Sequence, residues 1–199
     1  MVRIGVTGLM ASGKSTVARR FEERGAVRID GDTLGWETLR LPEVRDRIAA
    51  LFGPSVIGGD GEVDRAELGA KVFRDRPAME TLNSIVQPPL LSRVRDRLAS
   101  AGSVAVVDAA LLSTWGLERE LDGVVEVVAP EAVRIARLRS SRGFTESEAT
   151  ERIRGQSLPP LHGVRRHWRL ENDGDAKALL ARADQIWNEI ESLTAERRP

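Results

Sequence analysis

The amino-acid sequence predicts an α/β fold in which helices cover both faces of a parallel sheet. Short runs of β-branched and apolar residues alternate with long helical stretches, a pattern typical of strand–helix–strand units. The run at 103–108 (SVAVVD) is almost wholly apolar, as expected of a strand buried on both faces. The 199 residues can bury a core of ordinary size, so we expect one domain with insertions.

Each predicted element follows from a local pattern in the sequence. The predicted strands cover 2–7, 26–30, 103–108, 123–129 and 167–171. The predicted helices cover 14–24, a segment that begins at Pro130, 145–154 and 174–195. Residues 32–101 are mainly helical, with breaks at 53–54 (GP) and 58–61 (GGDG). Because this stretch is longer than a crossover needs, we interpret it as a substrate-side insertion; the alternative is that it only adds helical packing.

Composition excludes several classes of protein and of site. There are no cysteines, which excludes disulfides, thiolate zinc sites and iron–sulfur clusters. The 30 basic and 30 acidic residues give a formal net charge of zero, and only 4% of residues are aromatic, so nucleic acid is not an expected partner. No apolar run approaches the roughly 20 residues of a membrane span. We expect a cytoplasmic protein without a membrane partner, either a monomer or a weak homo-oligomer.

A phosphate-binding loop is the strongest motif. Residues 8–15 (GLMASGKS) match the pattern G-x-x-x-x-G-K-[ST], with a predicted strand before them and a predicted helix after them. Gly8 and Gly13 permit the turn that points successive N–H groups at a phosphate, and the next helix aims its N-terminus there. Lys14 supplies a compact charge to the outer phosphates and Ser15 a hydroxyl ligand for Mg²⁺. The alternative is a purely structural turn. The candidate nucleotide-binding residues are Gly8, Ala11, Ser12, Gly13, Lys14, Ser15 and Thr16.

The loop identifies nucleotide binding but leaves three classes of protein open: a small-molecule kinase, a GTPase switch and a mechanical ATPase. A GTPase would normally carry an Asn-Lys-x-Asp run that recognises the base, and the sequence has none. Mechanical ATPases are usually larger and work between subunits. A chain of 199 residues with an insertion after its second strand therefore favours the kinase.

Three carboxylates follow predicted strands and are candidates for the reaction centre. The carboxyl ends of parallel strands form the edge where ligands bind in open α/β sheets. Asp32 is favoured as the group that orients the acceptor hydroxyl, and Asp30 as the more structural member, although either could cap the next helix. Asp108 ends the third strand, where it would bind Mg²⁺ directly or through water; it could instead orient Lys14 or cap a helix. Trp36 shares a helical face with Asp32 and could contact the acceptor or simply pack.

These residues resemble the dephospho-CoA kinase family, whose sequences open with a strand, a phosphate loop and an Asp-Ala-Asp triplet. The triplet here is Asp30-Gly31-Asp32. Further matches follow in the family's order along almost the whole chain, and their order and spacing together are specific. They are Asp60-Gly61, Asp64-Arg65 and Leu68, Val72-Phe73 and Asp75, Leu82, Ile85 and Pro88, Val107-Asp108, Leu111-Leu112, Arg152-Ile153, Gln156 and Asn172.

The resemblance implies a three-layer P-loop NTPase fold with a helical substrate insertion and a lid. It divides the chain into a core (1–31, 102–136 and 165–199), an insertion at about 32–101 and a lid at about 137–164. The implied reaction is ATP-dependent phosphorylation of the ribose 3′-hydroxyl of dephospho-CoA, with Mg²⁺ as cofactor and CoA and ADP as products. The alternatives are a related kinase for another nucleotide or small alcohol, and a nucleotide-binding regulatory protein without catalysis.

The resemblance also assigns roles to individual residues. Lys14 and Mg²⁺ neutralise the transferring phosphoryl group, Asp32 orients the hydroxyl or accepts its proton, and Arg142 closes over the phosphates, with Arg137 or Arg139 as alternatives. The implied metal ligands are Ser15 and Asp108, the further nucleotide contact is Asn172, and the acceptor contacts are Asp32, Gln87, Leu111 and Leu112. The chain departs from the family pattern at Leu9 and Ala11 (loop glycines), Gln87 (His), Ala110 (Pro), Ser113-Thr114 (an aromatic–acidic pair) and Ser141-Arg142-Gly143 (Arg-Asp-Gly).

Overall fold

The computed structural model describes residues 1–73, 75–157 and 159–196, without the side chain of Arg142. The chain divides into two compact units. The first comprises Met1–Asp30 and Leu98–Pro199, and the second comprises Gly31–Arg97. The first unit contains the sheet and the phosphate loop, and the second is helical.

The sheet has five strands, all parallel. They are β1 (Val2–Thr7), β2 (Val27–Asp30), β3 (Val104–Asp108), β4 (Gly123–Val128) and β5 (His167–Glu171). Their order across the sheet is β2-β3-β1-β4-β5. The predicted α/β fold with a parallel sheet is confirmed, and the strand ends differ from the predicted ends by at most one residue. Because the strands are parallel, the carboxyl ends of β1, β2 and β3 lie at one edge, with Asp30 opposite Asp108.

Eight α-helices occur among the described residues. They are α1 (Lys14–Glu23), α2 (Gly31–Leu39), α3 (Pro42–Phe52), α4 (Arg65–Val72), α5 (Arg76–Ser100), α6 (Glu131–Arg142), α7 (Glu146–Arg154) and α8 (Ala176–Glu196). Pro130 was predicted as the first residue of its helix, which is wrong by one position. Its ψ of 145° is extended, so Pro130 is the N-cap and α6 begins at Glu131. None of the helices in the described ranges combines the length and apolar composition that a membrane crossing requires.

The core of the first unit lies between the sheet and two helices, α1 and α8. Alternate residues of a strand point to the same face, so Val2, Ile4 and Val6 of β1 all contribute to this core and are fully buried. Phe21 of α1 and Trp187 of α8 meet there with their ring centroids 5.6 Å apart. Burying this apolar surface fixes α1 against the sheet and therefore fixes the position of its first residue, Lys14.

The second unit has its own small core. Helices α3, α4 and α5 contribute Val44, Ile48, Leu68, Val72 and Ile85, all nearly inaccessible to solvent. Helix α3 ends at Phe52, immediately before the predicted break at 53–54. The turn at 58–61 is closed by a bridge between its flanks, and Asp64 caps α4 by accepting from the N–H groups of Ala66 and Glu67.

Candidate active site

The phosphate loop joins β1 to α1, and both of its pattern glycines are required by close contacts. Gly13 has a φ of 101°, in the left-handed region, and a Cβ at this position would collide with the side-chain amide of Asn172. A Cβ on Gly8 would collide with the carbonyl oxygen of Val127. Because α1 begins at Lys14, its first N–H groups have no partner within the helix and can bind an anion.

Ala11 is the only described residue other than glycine that has a positive φ, 61°. The family that this chain resembles has glycine at this position. A left-handed conformation costs an L-residue roughly 1–2 kcal/mol because its Cβ approaches the next carbonyl oxygen. The loop therefore keeps a strained conformation that glycine would adopt more easily.

Replacing Ala11 with glycine should stabilise the protein. Relief of the left-handed strain favours the folded state, while the greater freedom of glycine in the unfolded chain offsets part of the gain. We expect the free energy of unfolding to rise by up to about 1 kcal/mol in chemical denaturation. As a control, Ala136→Gly, at an exposed position inside α6, should lower it by about 1 kcal/mol. A destabilised Ala11→Gly protein would show that the alanine methyl group makes a useful contact.

Two side chains donate hydrogen bonds to the carbonyl oxygens of the loop. Arg137 of α6 donates to the carbonyl oxygens of Ala11 (3.0 Å) and Ser12 (3.3 Å) and to the side-chain oxygen of Asn172 (2.7 Å). Asn172 is buried and donates its own amide to the carbonyl oxygen of Ser12 at 2.7 Å. With these carbonyl groups satisfied from outside, the loop is held in a shape that leaves the first N–H groups of α1 for a ligand.

The other side of the loop packs against α6 and α7. Gln156 follows α7, and its side-chain oxygen accepts from the N–H of Met10 at 2.9 Å. Met10 and Ala11 pack against an apolar cluster of Leu138, Ala149 and Ile153 from the two helices. The segment predicted as a lid therefore contacts the loop directly; whether it opens and closes stays a prediction.

A cluster of four charged groups lies at the carboxyl edge of β2 and β3. The carboxylate of Asp108 is 1% exposed. One of its oxygens, Oδ1, accepts from the ammonium of Lys14. The other, Oδ2, accepts from Arg28 through Nε at 3.2 Å and Nη2 at 2.6 Å. Arg28 also donates to Asp30 at 2.7 Å. Burial lowers the pKa of the Arg28 guanidinium, but its hydrogen bond and attraction to Asp108 outweigh burial, so this pKa is raised.

The oxygens around Lys14 are of the kind that bind Mg²⁺. The Lys14 ammonium lies between Asp108 and the hydroxyl of Ser15, 3.5 Å away, so both oxygens already surround a cation. A hydroxyl and a carboxylate suit this hard ion. Among the described residues no group of three or more His, Cys, Asp or Glu side chains could hold a metal. An ion here would need further oxygens from phosphates and water, as is usual for Mg²⁺ in kinases.

The structure brings together some of the predicted residues. The loop, Lys14, Ser15, Asp108 and Asn172 all lie in the first unit and are linked by the contacts above. Asp108 makes the contact to Lys14 that the sequence left open as an alternative, while metal binding stays a prediction. Asp30 forms an ion pair with Arg28, as expected if its role is structural.

The predicted acceptor-side residues are divided between the two units. Asp32 is exposed in the first turn of α2, and Gln87 is half-buried in α5; both belong to the second unit. Leu111 is 47% exposed, whereas Leu112 is fully buried. The side chain of Leu112 packs against Gly5. The side chain of Arg142 lies outside the described part of the chain. The roles proposed for these residues stay predictions.

Sequence reasoning missed Arg28 altogether and considered Arg137 only as a lid arginine. A signal for Arg28 was present: it lies two residues before Asp30 on a strand, so both side chains leave the same face near the carboxyl edge. For Arg137 no local pattern could have indicated the contact with the loop, which lies 126 residues away in the chain.

Known proteins resemble this chain over nearly its whole length. Residues 2–178 match the sequence model of the family described as dephospho-CoA kinase. A Mycolicibacterium paratuberculosis protein named dephospho-CoA kinase is 40% identical over 195 residues, which cover 95% of this chain and 47% of that protein. A Thermobifida fusca protein of the same name is 33% identical over 195 residues, covering 96% and 97%. This chain thus spans about half of the first relative and nearly all of the second.

A solved structure shows the same fold. The crystal structure of TT1252 from Thermus thermophilus superposes with a TM-score of 0.78 at 27% sequence identity, and the match covers 100% of this chain and 98% of that one.

Proposed function

We propose that this chain, which belongs to the dephospho-CoA kinase family, is an ATP-dependent phosphotransferase that phosphorylates the ribose 3′-hydroxyl of dephospho-CoA. The observation that carries this proposal is the pairing of Lys14, at the N-terminus of α1, with the buried Asp108. This pair consists of a cation and a carboxylate of the kind that binds Mg²⁺, and both lie beside a loop whose carbonyl oxygens are already hydrogen-bonded.

On the nucleotide side, the first N–H groups of α1 and the Lys14 ammonium bind the β- and γ-phosphates of ATP. Arg137 and Asn172 keep the loop open by holding its carbonyl oxygens. Ser15 and Asp108 would hold Mg²⁺. The ion, when bound, supplies charge neutralisation for the phosphate oxygens. The chain's own contribution is to hold the phosphates in one place and orientation, which is the main requirement of phosphoryl transfer.

On the acceptor side, Asp32 orients the hydroxyl of dephospho-CoA and accepts its proton, while Arg142 meets the charge that develops on the transferring group. Gln87 and Leu111 contact the acceptor. The position of Asp32 supports this acceptor-side assignment. Asp32 is an exposed carboxylate in the first turn of α2, two residues after Asp30 at the end of β2.

A groove in the second unit supports binding of the rest of dephospho-CoA. It has a volume of about 230 Å³, and the exposed indole of Trp36 forms part of its wall. The guanidinium of Arg65 lies 4.7 Å from the centre of the Trp36 ring, which stiffens both side chains. Arg40 and Arg65 suit the anionic pyrophosphate, and the apolar side chains suit the pantetheine arm. The lining residues are Trp36, Leu39, Arg40, Asp60, Glu62, Val63 and Arg65.

Replacing Trp36 with alanine should therefore raise the KM for dephospho-CoA while kcat stays nearly unchanged. Truncating an aromatic anchor removes contacts made equally in the ground state and the transition state. We expect about a tenfold rise, equivalent to about 1.4 kcal/mol. The KM for ATP should not change. Phe73→Ala, which removes another exposed aromatic ring of the second unit outside the groove, is the control. An unaltered KM for dephospho-CoA would show that Trp36 does not belong to the acceptor site.

The activity itself is tested by measuring ADP release with a panel of acceptors. ATP and Mg²⁺ are supplied with dephospho-CoA, with each nucleoside monophosphate, or with buffer alone, and the product is analysed for a 3′-phosphate. We expect rapid turnover with dephospho-CoA and CoA as the product. Turnover with another acceptor alone would favour the related-kinase alternative, and nucleotide binding without turnover would favour a regulatory protein.

A further inference from the structure

We propose that Arg28 is a positioning residue that holds the buried Asp108 in place when Lys14 leaves it to bind nucleotide phosphates. This inference rests on the proposed function, because it assumes that Lys14 binds those phosphates. Arg28 does not belong to the phosphate-loop pattern or to the motifs through which the chain resembles its family. It is assigned here from its contacts alone.

The two cations divide the two oxygens of one carboxylate between them. Lys14 binds Oδ1 of Asp108, and Arg28 binds Oδ2 with two N–H groups at 3.2 and 2.6 Å. Arg28 is anchored on β2, which is paired with β3, the strand that carries Asp108. Its Nη2 group is also fixed by Asp30 at 2.7 Å. Arg28 therefore has partners that keep it in place independently of Lys14.

The charge balance explains why a second cation is needed. The Asp108 side chain is 1% exposed, so its carboxylate cannot be solvated well by water if Lys14 departs. Losing one partner of a buried ion pair is strongly unfavourable when the other charge remains uncompensated. Arg28 remains charged at all physiological pH values, and its side chain is 18% exposed. It can therefore keep Asp108 compensated while Lys14 is engaged elsewhere.

The arrangement also determines which oxygen becomes available. When Lys14 moves to the phosphates, Oδ1 loses its partner, whereas Oδ2 keeps both N–H groups of Arg28. The freed oxygen is the one that shares the Lys14 ammonium with the Ser15 hydroxyl. Arg28 thus orients the carboxylate so that Oδ1 points to the position that the Lys14 ammonium leaves, beside the Ser15 hydroxyl, and these two oxygens would hold Mg²⁺.

A double-mutant cycle on nucleotide binding without metal tests this proposal. The probe is a non-hydrolysable ATP analogue in the presence of EDTA, with affinity measured by calorimetry. In Arg28→Met, Lys14 is the cation that remains on Asp108 among the described residues, so transfer of the Lys14 ammonium to the analogue is opposed. We expect at least about a tenfold loss of affinity, equivalent to about 1.4 kcal/mol. Arg28→Lys should recover most of that loss because it restores the charge.

The Asp108→Asn background distinguishes a positioning role of Arg28 from a general structural role. In Asp108→Asn there is no carboxylate charge to compensate, so adding Arg28→Met should change the affinity by less than about twofold. An equal loss in both backgrounds, or no loss in either, would overturn the proposal. Arg169→Met is the matched control: Arg169 lies on β5, is exposed, and faces Glu171 two residues later. The Arg169→Met protein should bind the ATP analogue with the same affinity as the wild type.

A second variant at the same position covers the case in which Arg28→Met does not fold. If Arg28→Met fails to fold, as judged by thermal unfolding, Arg28→Gln removes the charge while keeping a polar side chain that can donate to Asp108, and the same cycle is measured. Because the readout is metal-free nucleotide binding, it needs no acceptor. A protein that fails to phosphorylate dephospho-CoA but shows the expected cycle would overturn the proposed substrate and leave the part of Arg28 intact.

Discussion

Replacing Lys14 with alanine will reduce phosphoryl transfer from ATP to dephospho-CoA by at least about 10²–10³-fold, the loss typical of one preorganised electrostatic group. Lys14 begins α1, where the phosphates are expected, and its ammonium contacts Asp108 and Ser15. The charge is needed most in the transition state, so kcat should fall along with kcat/KM.

The fold should tolerate this change. Lys14 contributes no apolar surface to the core between the sheet, α1 and α8. Asp108 would keep Arg28 as a partner, so its carboxylate would not be left uncompensated. Thermal unfolding followed by circular dichroism should therefore remain cooperative. Lys177→Ala, at an exposed position in the first turn of α8, is the matched control and should retain full activity. Near-normal turnover in a folded Lys14→Ala protein would refute the assignment of the loop.

The sheet and helices were predictable because their signals are local. Apolar runs such as Val104–Asp108 are buried on both faces, and their composition alone identifies a central strand. Likewise, the breaks around Gly53 and Gly61 follow from backbone chemistry that acts within a few residues, and both glycines have a positive φ. Pro130 was placed inside the helix because a proline fits both the N-cap and the first turn, and only its ψ angle distinguishes the two.

The phosphate loop was predictable for the same reason, while the contacts of Arg28 and Arg137 were not. Gly8, Gly13 and Lys14 fall within one short pattern, and each has a separate physical requirement there. Arg28 and Arg137 act on residues 80 and 126 positions away, at contacts that exist only after the strands have paired and α6 has packed. A charged residue on a short edge strand is ordinarily a solvated side chain, so the placement of Arg28 and Asp30 on one face of β2 was too weak a signal to single out Arg28.

Replacing Asp32 with asparagine should abolish most transfer without preventing ATP binding. The substitution keeps the size of the side chain and one oxygen acceptor, but it removes the charge that, in the proposed reaction, accepts a proton from the acceptor hydroxyl. We expect kcat with dephospho-CoA to fall by about 10²–10⁴-fold, the usual contribution of a general base. The affinity for a non-hydrolysable ATP analogue should stay within about twofold of wild type, because Asp32 is assigned to the acceptor and not to the phosphates.

Two comparisons make the Asp32 result specific. Asp46→Asn removes an exposed carboxylate of the same second unit, one that pairs with Arg45, and should leave kcat unchanged. Asp30→Asn should have a smaller effect than Asp32→Asn, because Arg28 retains Asp108 as its partner when Asp30 loses its charge. If Asp30→Asn proves the more damaging of the two, the acceptor carboxylate is Asp30 and the assignment of the pair is reversed. If Asp32→Asn turns over normally, the hydroxyl needs no carboxylate at this position, and transfer depends on the placement of the phosphates by Lys14 and the loop.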